Sequence, residues 1–270
     1  MIHETEIRYA ITSDGVRIAY RTFGQGLPVV LLHPHAMTHL EREWDIPLLR
    51  SWYERLGEHV QVVRMSHRGF GLSEGDASFV TLDDFVRDLE AVIGALGATQ
   101  VGFVASGIGT PAAVAYASRY PERVARMVLF APFLGYAGAD LADAVGRSLA
   151  VARLGMTVWA RRVATWVDPG GVADERALLT LVTESVSAET HADWAEAIRR
   201  MGVADAVRTV RAPTLVLMRR EEIADSPPQT RGPLALADVR EIMVEGSAVV
   251  PYFEGGEENL ALIRNFLLES

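Results

Sequence analysis

Residues 101–111, Val101-Gly102-Phe103-Val104-Ala105-Ser106-Gly107-Ile108-Gly109-Thr110-Pro111, constrain the fold more than any other stretch. An apolar run meets two glycines one residue apart and continues as Ala112-Ala113-Val114-Ala115-Tyr116-Ala117. That pattern predicts a buried strand turning sharply into a helix. The turn itself holds Ser106, Gly107 and Gly109.

The segment, with Tyr120-Pro121-Glu122-Arg123-Val124 after its helix, resembles the nucleophile elbow of the α/β-hydrolases, whose pattern is G-x-S-x-G. In that frame Ala105 takes the first glycine position, Gly107 the serine and Gly109 the last glycine. A register shifted by one would make Ser106 the nucleophile and move Gly109 out of the place where helix and strand approach closely. The resemblance runs along nearly the whole chain. Leu27 to His33 is a buried strand running into the family's oxyanion loop, and Val60 to Met65 is the next strand. Arg68-Gly69-Phe70-Gly71-Leu72-Ser73 resembles the D-x-R-G-x-G-x-S turn, with Ser66 where aspartate is usual. Ala212 to Met218 matches the strand after the lid, and Glu257 to Leu267 reads as a closing amphipathic helix. Ile18-Ala19-Tyr20, His39-Leu40-Glu41 and Trp44 resemble a bacterial branch that includes domains found beside cyclase or DNA-binding regulator domains.

The resemblance implies an α/β-hydrolase fold: a mostly parallel twisted sheet flanked by helices, with residues 1–132 and 208–270 as the core and 133–207 as a helical lid. Within the lid, Leu141 to Val167 and Asp174 to Met201 show helical periodicity, broken by Asp168-Pro169-Gly170-Gly171. Trp159, Trp166 and Trp194 fall in these helices, either as lid packing or, for one or two of them, as walls of an apolar pocket. With 49% hydrophobic residues, 270 residues suffice for one large core. No long apolar run and no leader pattern is present, so the expected location is cytoplasmic, away from membranes. The net charge of −9 argues against a nucleic-acid partner. Cysteine is absent, which excludes disulfides and thiolate chemistry, and all 26 basic residues are arginine, which excludes a lysine Schiff base. A homodimer is left open.

A serine triad also needs an imidazole base and an orienting acid. The resemblance puts the acid at Glu222, with Glu221 or Asp225 as fallbacks, and the histidine at Val249, within Glu245 to Glu254. No histidine follows His191. The triad positions Gly107, Val249 and Glu222 are therefore degenerate at nucleophile and base. Other groups stand near the expected cleft: His35 as acid, base or donor or else facing solvent or the lid, Tyr252 as a proton donor or a packing residue, and Ser106 as a nucleophile or a buried hydrogen-bonding group. The pocket is expected to include His33, Pro34, Ile108, Phe133, Trp159 and Trp166. Arg219 and Arg220 read either as a solvated pair or as a carboxylate site, and His39 and His67 as structural. His33-Pro34-His35 lacks a third metal ligand nearby, so neither metal nor cofactor is expected.

Three functions compete. One is a cofactor-free lyase, isomerase, dehydratase or cyclase acting on a small, partly apolar metabolite, as in secondary-metabolite biosynthesis. The second is a ligand-binding sensor or carrier without turnover. The third is a hydrolase working through Ser106 and a relocated base such as His35.

Overall fold

A computed structural model describes residues 6–76, 80–134, 150–151, 154–198, 202–221, 234 and 236–269. Its centre is an eight-stranded sheet: β1 (Arg8–Ile11), β2 (Arg17–Phe23), β3 (Pro28–Leu32), β4 (Gln61–Met65), β5 (Val101–Ser106), β6 (Val124–Phe130), β7 (Thr214–Arg219) and β8 (Val239–Val244). The order is β1-β2-β4-β3-β5-β6-β7-β8, antiparallel across β1, β2 and β4 and parallel from β4 onward. Strand β5 is buried at every position, as its continuous apolar sequence requires of a strand covered on both faces. Chain order reverses between β3 and β5, which opens a crevice at their carboxyl ends.

The helices are α1 (Pro47–Gly57), α2 (Leu82–Ala95), α3 (Thr110–Arg119), α4 (Met156–Val167), α5 (Glu175–Ser185), α6 (Ala188–Ile198), α7 (Ala204–Val207) and α8 (Gly256–Leu267). Helix α2 starts on a capping box, the Thr81 hydroxyl accepting from Asp84 N at 3.3 Å and the Asp84 carboxylate from Thr81 N at 2.7 Å. Helices α4 to α7 lie between β6 and β7, the place expected for the lid. The run expected as one helix from Asp174 is two. Val186 is extended, and the Ser187 hydroxyl accepts from Thr190 N at 3.0 Å to start α6. Residues 141–149, expected to be helical, lie outside the described residues. Asp168 closes α4: its carboxylate accepts from Val172 N at 3.0 Å and Ala173 N at 2.8 Å.

One buried ion pair joins this sheet to the loop over the crevice. Arg64 of β4 and Glu43 are both buried, bonded Nε to Oε2 at 2.9 Å and Nη2 to Oε1 at 2.5 Å. The same guanidinium donates to the carbonyls of Leu31 and Met37. Removing one partner of a buried pair costs about 3–5 kcal/mol, whereas replacing both by apolar groups costs far less. Glu43→Leu is therefore expected to lower stability by about that amount in urea unfolding. The double variant Glu43→Leu/Arg64→Met should recover at least half of the loss; equal loss in both would mean that the pair does not carry the effect.

Candidate functional site

The turn after β5 is a single 3-10 turn, Gly107–Gly109, leading directly into α3. Gly107 has φ +49°, the left-handed conformation at the tip of a strand-turn-helix elbow. A Cβ added there would make ordinary van der Waals contacts, its nearest neighbours being Val249 O at 3.8 Å, Pro34 Cγ at 3.9 Å and Val249 Cβ at 4.0 Å. At Gly109 a Cβ would lie 2.7 Å from Leu32 O, so helix α3 packs on β3 only because that position is glycine. Ser106 is the last residue of β5, buried, with its hydroxyl 3.5 Å from Leu32 O.

Val249 stands opposite the tip on the loop after β8, its N–H donating to Trp166 O at 3.0 Å. Buried Arg219 holds this loop, with Nε donating to Ala248 O and Nη2 to Glu254 O, both at 2.9 Å, and Nη1 to Glu245 O. The Glu254 carboxylate accepts from Ser247 N at 2.7 Å and Ala248 N at 2.8 Å. Burial lowers Arg219 to about 10, which leaves it a cation at neutral pH. Arg219 is thus buried instead of solvated, and its fork bonds backbone carbonyls. Arg220 is a surface residue paired with Glu245 at 2.8 Å. Glu221 is exposed, and Glu222 and Asp225 lie outside the described residues.

Beside the tip is a narrow cleft of about 20 Å³, room for one water-sized group. Its walls are His33 and His35 after β3, His67 and Phe70 after β4, Phe85 of α2, Ile108 and Gly109 of the elbow, Pro111 and Ala112 of α3, and Trp194 of α6. His33 and Ile108 were expected there. Among the three tryptophans only Trp194 lines it. Trp159 packs on His191 with ring centroids 4.2 Å apart, and Trp166 is buried with its indole N–H lacking a hydrogen-bond acceptor among the described residues. Phe133 is buried, its N–H donating to Gly107 O at 3.2 Å. Pro34 flanks the tip instead of the cleft. His67, read as structural, is a wall residue with Asp88 3.5 Å behind its Nδ1. His39 is structural, accepting from Arg42 N at 3.4 Å.

The Tyr252 hydroxyl is spent on the buried ring of His33. His33 Nε2 also meets the Tyr53 hydroxyl at 2.8 Å, and that hydroxyl reaches Glu43 at 3.2 Å. Burial first, and then the Arg64 cation, hold His33 well below the usual imidazole range. His35 Nε2 lies 3.3 Å from Nδ1 of His191 on α6, the rings being stacked, and the Trp194 indole stacks on His35 with centroids 3.6 Å apart. His35 Nδ1 is buried with no hydrogen-bond partner among the described residues. Burial, then His191, pushes His35 well down, and burial lowers His191 to about 4. All three imidazoles are neutral at pH 7. No cluster of histidine and carboxylate fit to hold a metal ion occurs among the described residues, and no helix among them is long and apolar enough to cross a membrane.

Residues 28–214, more than half of the chain, match the family model described as alpha/beta hydrolase fold. The chain belongs to the α/β-hydrolase fold family. Over 126 residues it is 30% identical to a cis-3-alkyl-4-alkyloxetan-2-one decarboxylase of Shewanella oneidensis, covering 45% of this chain and 37% of that one. Over 123 residues it is 32% identical to a bifunctional esterase/perhydrolase of Acinetobacter calcoaceticus, covering 45% and 43%. The chain spans less than half the length of these two curated relatives. Among solved structures, a hydrolase from Pseudomonas aeruginosa superposes with a TM-score of 0.80 at 20% identity, covering 99% of this chain and all of that one. The enol-lactonase from Burkholderia xenovorans gives 0.79 at 19%, covering 97% and 100%. At such identities the likeness is one of fold.

His191 titrates near 6.5 when unfolded and near 4 when folded. Between those values the unfolded chain binds a proton that the folded chain refuses, so stability is full above pH 6.5 and is lost as pH falls toward 4. His33 and His35 act in the same direction. The His191 contribution is about 3 kcal/mol. The urea midpoint is expected to drop through this window, with a shallower drop in His191→Gln; an unchanged slope in the variant would contradict a buried neutral His191.

Proposed function

We propose that the protein is an α/β-hydrolase-fold enzyme without a Ser-His pair, catalysing a cofactor-free, non-hydrolytic reaction, such as a lyase, isomerase, dehydratase or cyclisation step, on a small, partly apolar molecule. The observation that carries this reading is Gly107 at the tip of the elbow, with Val249 facing the place where its side chain would begin. A covalent acyl-enzyme has no atom to form on there, and an apolar side chain stands where an imidazole would take the proton. Ser106 speaks against the hydrolase alternative, since its buried hydroxyl is turned to the Leu32 carbonyl and away from any described imidazole partner.

What the cleft retains suits proton movement and stabilisation of a developing negative oxygen. A neutral imidazole with one free nitrogen, His35, can donate or accept a proton according to its tautomer. The turn before α3 also lines the cleft, at Ile108 and Gly109, where the N-terminal end of α3 favours a developing negative charge. Burial strengthens both effects by excluding water. One relative is named as a decarboxylase and the other as an esterase/perhydrolase, so non-hydrolytic chemistry has a precedent among the chain's relatives. A sensor that binds without turnover would use the same cleft; the free His35 nitrogen favours the enzyme.

The reading is tested by rebuilding what is missing. A serine at Gly107 meets only ordinary contacts, at a strain of about 1–2 kcal/mol for its left-handed backbone. Gly107→Ser and Val249→His are each expected to stay at the background rate with 4-nitrophenyl acetate, because a serine without a base keeps its proton and a base without a nucleophile has nothing to activate. Hydrolysis should rise only in the double variant. Hydrolysis by Gly107→Ser alone would mean that another base already serves the tip, and would end this reading.

A further inference from the structure

Resting on that reading of the cleft, we infer that the site takes a planar, conjugated, uncharged ligand, and that in the present closed form the Trp194 indole occupies the ligand's own stacking place on His35.

The lining defines the ligand by what it offers and withholds. Among the described residues it offers the flat faces or edges of Phe70, Phe85 and Trp194 and three imidazoles, with Ile108, Pro111 and Ala112 between them. No carboxylate and no guanidinium of the described residues lines it. A charged group entering would lose its hydration with no opposite charge to meet, a penalty of several kcal/mol. A hydroxyl or carbonyl, by contrast, has the His35 ring in the wall, whose Nδ1 has no hydrogen-bond partner among the described residues, so one neutral polar group on a flat apolar frame is what the walls can satisfy.

Size identifies the moving part. Pockets for small molecules run to about 300–1,000 Å³, against about 20 Å³ here. Of the wall residues only Trp194 belongs to the lid helices, and its ring stacks on His35 at 3.6 Å between centroids, inclined by 27°. Phe70 sits at 5.3 Å from the same imidazole. Helix α6 is fastened at this point by the His35–His191 contact and the Trp194 stack, and both must part for α6 to lift. Lifting α6 withdraws the indole and leaves a slot of the indole's shape, flanked by Phe70 and by the free imidazole nitrogen.

Calorimetric titration of the full chain with 2-naphthol, 2-naphthoate and 1-decanol separates the possibilities. 2-Naphthol is expected to bind, 2-naphthoate at least 10-fold more weakly, and decanol, apolar but not planar, more weakly than naphthol. Trp194→Ala is expected to tighten 2-naphthol at least 10-fold by vacating the slot, and His35→Leu to weaken it by a similar factor. Trp194→Phe, which keeps a smaller ring, should tighten it to a lesser degree and serves if the alanine variant does not fold. Tighter binding of naphthoate or decanol than of naphthol, or weaker naphthol binding in a folded Trp194 variant, would overturn the inference. Because binding needs no turnover, these results are independent of the 4-nitrophenyl acetate assay: esterase activity in Gly107→Ser would sink the catalytic reading while leaving the ligand class to be judged by titration.

Discussion

The contact on which the site depends is the buried pair of Arg64 and Glu43. Arg64 projects from the middle of β4 and ties together the end of β3, through Leu31 O, the turn at Met37, and the carboxylate of Glu43. Glu43 in turn holds Tyr53, which holds His33. The loop carrying His33 and His35 is thereby fixed to the sheet by buried polar bonds. Arg219 does the same on the far side of the elbow, bonding three carbonyls of the loop that carries Val249. Both tasks need a planar cation with several donors at fixed angles, which suits a chain whose basic residues are all arginine.

Between these two clamps the site is narrow, and its described walls hold no carboxylate and no guanidinium. The imidazoles of His33, His35 and His191 are neutral because burial makes charge costly, and α6 meets His35 through the Trp194 ring stack and the His191 contact. Such a site holds a fixed pattern of dipoles, which is what stabilises charge that develops during a reaction rather than charge that arrives with the substrate.

Much of the fold was legible from local pattern. Strand β8 has the bounds read from the sequence, and the alignment of Gly109 to a close-approach position is borne out by the 2.7 Å that separates its missing Cβ from Leu32 O. The clamps were not legible. An arginine inside the apolar run Val60 to Met65 signals a buried cation, but nothing in the spacing names a glutamate 21 residues earlier as its partner. His191 and Trp194 meet His35 across the lid, a long-range contact that helical periodicity does not encode. The break before α6 was hidden because buried Val186 continues the apolar phase; Ser187, a good helix-capping residue, was the available sign. Tyr252 read as either a proton donor or a packing residue, and its actual partner, His33, lies 219 residues away.

The central claim is that the elbow carries no activated nucleophile. Incubation of the intact protein with an alkyl fluorophosphonate, followed by mass spectrometry of the whole chain and of the peptide spanning Val101 to Arg119, tests it directly. The expected result is no adduct at neutral pH, with all 270 residues at their unmodified mass. A stoichiometric adduct on Ser106 would contradict it, because only an activated serine in the elbow reacts in that way.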